Sequence, residues 1–108
     1  MKRGDLITVA AKGTYTNKPR TALIVQSDLF DELASVTLCL ITHALNDAPL
    51  LRITVDPTPE NGLQMTSQIM VDKIVTVRRE QVGNHFGRLD HETMVRVDRS
   101  LALFLGIA

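Results

Sequence analysis

The chain has 108 residues, with Lys plus Arg and Asp plus Glu at 12 each and a formal charge of zero. That length fits one domain, residues 1–108, around one modest core. Zero net charge argues against a global basic field for nucleic acid. Aromatic residues at 4% argue against a broad base-stacking platform. Charge is uneven, however: Lys2, Arg3, Lys12, Lys18 and Arg20 face only Asp5 at the N-terminal end. This is either a local basic patch or a solvated surface. Cys39 is the single cysteine, so no intrachain disulfide is expected, and its apolar neighbours predict a buried, inert thiol. No apolar stretch approaches the roughly 18 to 20 residues needed to cross a bilayer, and no signal-peptide pattern opens the chain. A soluble, cytoplasmic protein is the expectation.

In chain order, Leu6 to Ala11 is rich in β-formers and predicts a strand. Lys12 to Pro19 carries Gly, Asn and Pro and predicts a loop. Thr21 to Gln26 predicts a buried strand, and Asp28 to Ser35 a polar connection with a short helical turn. Val36 to Thr42 is continuously apolar enough to be buried on both faces. Leu50 to Val55 predicts a further strand, stopped by the Asp56–Gly62 segment with its two prolines. Thr66 to Arg79 is long and β-branched, and its apolar residues switch parity, which predicts a bend or a strand shared by two sheets. Gly83 to Arg88 reads as a turn or a single helical turn. The period then changes. Asp90 is a good N-cap, Glu92 complements the helix dipole, and Met94, Val97, Leu101, Phe104 and Leu105 recur at helical spacing up to Gly106. A helix from about His91 to Leu105 is predicted, giving a mainly β fold with a C-terminal α-helix.

No spacing in the sequence offers a metal site: His43, His85 and His91 are scattered, and surface or capping roles suit His85 and His91. Phosphate-binding glycine loops and the GxSxG nucleophile elbow are absent from the sequence. What is left is a set of polar side chains at strand ends or near a bend, where rigid scaffolds display chemistry. Arg20 sits at the mouth of a buried strand, delivered by the polar loop that includes Lys18. It is either an anion-binding guanidinium or an ordinary strand-flanking cation. Thr42 is a phosphate-contacting hydroxyl or a β-former ending its strand. Asp72 and Lys73 are a reactive pair or a solvated pair at a kink. Ser67 contacts a substrate or merely caps its strand.

Six segments in order tip these alternatives, because together they resemble the MazF/PemK family of toxin ribonucleases nearly end to end. They are Arg3-Gly4-Asp5-Leu6-Ile7; Arg20 with the aliphatic run closing on Gln26-Ser27-Asp28; Ile41-Thr42; Gly62-Leu63 with Ser67 and Ile69 to Val77; Gly87-Arg88-Leu89; and Leu105-Gly106-Ile107. The resemblance implies a small SH3-like β-barrel that forms a homodimer, binds a cognate antitoxin and cuts single-stranded RNA with no cofactor. The RNA's own 2′-hydroxyl is the nucleophile in that family. By the same resemblance Arg20, Thr42 and Asp72 match catalytic positions and Ser67 a substrate contact; Lys18 and Lys73 are candidate RNA-binding residues. A guanidinium keeps its charge to above roughly pH 12, so Arg20 suits charge stabilisation before proton transfer. Asp72 is a candidate base, and His43 beside Thr42 is of the residue type that titrates near neutrality.

The chain departs from the family pattern at Thr21, where proline is usual, at Lys73, where Gln is frequent, and at Val75, where Arg is frequent. These departures bear on RNA grip and sequence choice. Two other readings compete. One is a CcdB-like gyrase poison, which acts through a C-terminal helix with a Trp that this chain lacks. The other is a homologue that binds without cutting.

Overall fold

The computed structural model describes residues 1–10 and 19–107. The predicted loop at residues 12–18, and with it Lys18, lies outside the described residues. Six strands and one helix follow in order: β1 (Asp5–Val9), β2 (Arg20–Ile24), β3 (Ser35–Thr42), β4 (Arg52–Val55), β5 (Ser67–Arg78), β6 (Val82–Arg88) and α1 (His91–Leu105). They form one antiparallel sheet in the order β4-β5-β3-β2-β1-β6. The expected mainly β fold with a C-terminal helix is present. The sheet is open: β4 and β6 are its edges, and no ladder joins them among the described residues.

β5 bends as its switching parity predicts. Cys39 faces Ile74, yet Ile41 faces Ile69. Residues 70–73 therefore span on β5 what Leu40 alone spans on β3, a large bulge that re-aims the strand. Its first part pairs with β4 and its second with the start of β3. The alternative of two packed sheets is not what forms; one sheet bends sharply. At its far end, β5 passes into β6 through a 3₁₀ turn at Arg79–Gln81. A link that short spans at most about 14 Å, so the flanking strands β5 and β6 are drawn toward each other and the sheet coils.

Coiling lets both faces bury apolar side chains. On one face Leu6, Leu23, Cys39, Ile41, Ile69 and Val71 pack with Val97 and Leu101 of α1. On the other, Ile7, Val9, Ala22, Ile24, Val36 and Leu38 pack together. β3 feeds both clusters, as its unbroken apolar run predicts. Each fully buried aliphatic side chain contributes about 1.5–3 kcal/mol. Cys39 is fully buried, and burial raises its thiol to about 11 from an ordinary 9.0. It is inert at neutral pH, as expected.

α1 starts where predicted. Asp90 accepts from Thr93 N at 3.1 Å and from the Thr93 hydroxyl at 2.6 Å. It ends at Gly106, whose φ of 75° only glycine adopts without strain. The predicted apolar stripe is buried only as far as Leu101; Phe104 and Leu105 are exposed, because the helix runs on past the strands it covers.

The segment Gly83–Arg88, expected to be a turn, is instead most of β6. Its long-range pairing with β1 overrides a local composition of Gly, Asn and His. Gly87 is required by packing rather than by a turn: a Cβ there would collide with the Asn61 carbonyl. Asn61 is itself 3% exposed and binds the main chain of Asp56, Thr58 and Leu63, which fixes the loop before β5. Smaller boundary differences occur in β1 and β2. β2 stops at Ile24, and Gln26 continues the pairing by side chain, accepting from Thr37 N at 2.9 Å.

Candidate active site

Strand register, rather than sequence proximity, assembles the site. Directly opposed residues of antiparallel strands project to the same face. Thr42 of β3 faces Gln68 of β5, and Gln68 faces Thr54 of β4. Continuing the β2–β3 register two positions beyond Ala22 and Leu40 brings Arg20 opposite Thr42. A polar row, Arg20–Thr42–Gln68–Thr54, thus crosses β2, β3, β5 and β4 on one face. Direct neighbours in such a row have Cβ atoms about 4.5–5.5 Å apart. Arg20 pairs with Val9 through its main chain, and its exposed side chain has no hydrogen bond or ion pair to another described residue. The Thr42 Oγ1 accepts from Ala44 N at 3.0 Å, so its hydrogen is left to donate. A fixed cation beside a hydroxyl donor is an arrangement for holding and polarising a phosphate.

The opposite face of the same rim carries a cavity of about 360 Å³. Its walls include Thr8 and Thr21, cross-strand partners in β1 and β2, with His43, Ser67, Asn84 and Phe86. Parity explains this sorting: Thr21 and Arg20 are adjacent in the strand, so they point to opposite faces. The same holds for Ser67 and Gln68. Ser67 is 5% exposed, and its hydroxyl donates to Met65 O at 2.8 Å. It lines the cavity rather than the Arg20 face. His43 also lines the cavity.

Asp72 lies off the row, in the β5 bulge. Arg52 Nη2 donates to its Oδ2 at 3.3 Å, and Arg52 Nε lies 3.2 Å from Oδ1. The second approach is misaligned, so the buried Oδ1 has no hydrogen bond among the described residues. The pair is mostly buried, at 15% and 21% side-chain exposure. A carboxylate held this way braces the bulge against β4. Lys73, next to it, is exposed.

Gln68 escaped the sequence reading. The signal was present: a carboxamide inside the β-branched run of β5, where an aliphatic residue fits the pattern. Arg3 and Asp5, prominent in the sequence, turn out to be fasteners. Arg3 donates to Val25 O at 2.8 Å and pairs with Asp98 at 2.5 Å. Asp5 is 4% exposed and takes Arg88 Nη1 at 2.6 Å and Lys2 N at 2.7 Å.

Known proteins share this fold. The profile of the PemK-like, MazF-like toxins of type II toxin–antitoxin systems matches residues 2–105. A probable endoribonuclease MazF of Mycolicibacterium smegmatis is 53% identical over 108 residues, covering 100% of this chain and 99% of that protein. Among solved structures, a mycobacterial endoribonuclease in complex with its cognate antitoxin superposes with a TM-score of 0.83 at 21% identity, covering 100% and 97% of the two chains. A MazE–MazF structure from Deinococcus radiodurans gives 0.78 at 14% identity, covering 100% and 98%. At these identities the solved structures speak for the fold, and the family match and the 53% relative speak for descent. The chain belongs to the PemK/MazF toxin family, whose members are endoribonucleases.

Proposed function

We propose that this toxin cuts single-stranded RNA at a phosphate held between Arg20 and Thr42, without a metal ion. The observation that carries the reading is the β2–β3 register, which, continued two positions beyond Ala22 and Leu40, sets these two residues opposite each other. The 2′-hydroxyl of the ribose attacks the adjacent phosphorus. The P–O2′ bond forms as O2′ gives up its proton, and the P–O5′ bond breaks as O5′ takes one up, leaving a 2′,3′-cyclic phosphate and a 5′-hydroxyl. Charge builds on the non-bridging oxygens in between. Arg20 meets that charge with a permanent cation, and Thr42 donates its free hydroxyl hydrogen to the same oxygens. The cavity behind the rim receives a neighbouring base. It offers the Phe86 ring, the Thr21 hydroxyl and the Asn84 carboxamide. His43 lines that cavity, on the face away from Arg20 and Thr42. Lys73, exposed in the bulge, and Lys18, two residues ahead of Arg20 in the sequence, contact the RNA backbone. Asp72 takes part by holding Arg52 and the bulge.

The coiled sheet, with β5 and β6 joined by a three-residue turn, supports a partly open SH3-like barrel. Leu103, Phe104, Leu105 and Ile107 are exposed; an apolar surface of this kind supports a homodimer. The complex with antitoxin among the similar structures supports a cognate antitoxin that covers the Arg20 face. No helix among the described residues is long and apolar enough to cross a membrane. That, with an RNA substrate and a buried unpaired thiol, supports action in the cytoplasm.

Purified protein incubated with single-stranded RNA in excess EDTA tests the reading. Cut ends bearing cyclic phosphate and 5′-hydroxyl are expected. RNA left intact, or cutting abolished by EDTA, contradicts it.

A further inference from the structure

We propose that Gln68 is the positioning residue of this site: through the main chain of Asn46 it fixes the turn that aims the Thr42 hydroxyl. The inference rests on the cleavage reading above. Gln68 is 5% exposed, and a buried carboxamide is costly unless its polar atoms are bonded. Here they are. Oε1 accepts from Asn46 N at 2.9 Å. Nε2 donates to Asn46 O at 2.9 Å and to the Thr54 hydroxyl at 3.1 Å. Both amide hydrogens are engaged, so Gln68 has no donor left for a substrate. Its contribution is to geometry.

That geometry is specific. β3 ends at Thr42, whose main chain is paired with that of Gln68. Beyond it, the Gln68 side chain takes over from the ladder and clasps the Asn46 N–H and C=O together, as a neighbouring strand would. The short turn from Thr42 to Asn46 is thereby pinned at both ends by one residue. Inside it, Ala44 N donates to the Thr42 Oγ1 at 3.0 Å. This bond occupies one lone pair of the hydroxyl and sets its rotamer, which leaves the hydrogen to donate on the face shared with Arg20. With the clasp lost, the turn is free to move, the Ala44 bond fluctuates, and the hydroxyl loses its aim.

Three variants test this. Gln68→Glu keeps the shape and the acceptor for Asn46 N but sets an oxygen against Asn46 O. Ala44→Pro, on the exposed turn, removes the N–H without touching the core. Asn46→Ala leaves both clasp bonds in place, because they go to main chain. Cleavage rate at saturating RNA, KM and thermal midpoint are read for each, with amide exchange at residue 44 for the two variants that keep its N–H. Gln68→Glu and Ala44→Pro are expected to lower kcat roughly 10- to 100-fold with KM nearly unchanged, as misplacement of a reacting group does. Faster exchange at residue 44 accompanies the loss in Gln68→Glu, and Asn46→Ala matches wild type throughout. A Gln68→Glu protein that cuts at the wild-type rate per folded molecule overturns the proposal, as does an Ala44→Pro protein with unchanged kcat. Wild-type protein that leaves RNA intact overturns the cleavage reading itself, and the role of Gln68 with it.

Discussion

Two arginines near the N-terminus of this chain are equally prominent in the sequence, and the fold uses them in opposite ways. Arg3 is surrounded: its main-chain N–H donates to Asp28 at 2.7 Å, its Nε to Val25 O, and its guanidinium to Asp98 of α1. Beside it, Asp5 is buried under Arg88. Arg20 stands exposed at the start of β2, facing a hydroxyl that retains a free donor hydrogen. A guanidinium enclosed by protein acceptors fastens elements together. One presented to solvent beside a polarising donor is placed for an incoming anion. Both belong to segments that match the family, so motif strength alone does not separate the two roles; partners do.

Substitution makes the comparison sharp. Arg20→Ala should cost at least roughly 100-fold in cleavage rate, the usual loss when a transition-state donor is removed. Its thermal midpoint should stay near wild type. Asp5→Ala should do the reverse. Removing the buried carboxylate leaves the Lys2 N–H unpaired beside a half-exposed Arg88, at about 1–3 kcal/mol, read as a lowered denaturation midpoint with little change in rate per folded molecule. Thr42→Val removes a neutral donor and should cost roughly 10-fold in rate, in line with a hydrogen bond of about 1.4 kcal/mol. Asp90→Ala removes the helix cap and should cost about 1 kcal/mol of stability, measured by urea denaturation.

Two pH effects follow from shifts with known causes. Hydrogen bonds from Thr93 hold the Asp90 carboxyl below its ordinary 3.8. Its contribution is therefore present above 3.8 and lost as pH falls through the lowered value, a loss that Asp90→Asn should not show. Burial raises Cys39, so its contribution is full below 9.0 and lost as pH climbs toward about 11. Thiol reagents should leave the folded protein unlabelled at pH 7 and label it only on unfolding.

Local chemistry made part of the fold legible. The helix could be read because Asp90, the apolar spacing and Gly106 all act within a few residues of one another. β3 could be read because its apolar run announces two buried faces. β6 could not: its residues favour a turn, and only pairing with β1, far away in the chain, makes them a strand. The site shows the same division. Arg20 and Thr42 sit at strand ends visible in the sequence, but their juxtaposition depends on the β2–β3 register. Asp72 is visible in the sequence as a carboxylate near a bend, but its pairing with Arg52, twenty residues away in the chain, is not. Ser67 and Gln68 are neighbours, and the period of a strand sends them to opposite faces; which face each takes follows only from the pairing with Thr42.

The central claim is that Arg20 and Thr42 act together on one phosphate. A double-mutant cycle on RNA cleavage, using Arg20→Ala, Thr42→Val and the combined variant, measures it directly. Groups that serve one transition state are strongly non-additive. The double variant should cut little more slowly than Arg20→Ala alone. Losses that multiply in full would show two independent sites and contradict the account.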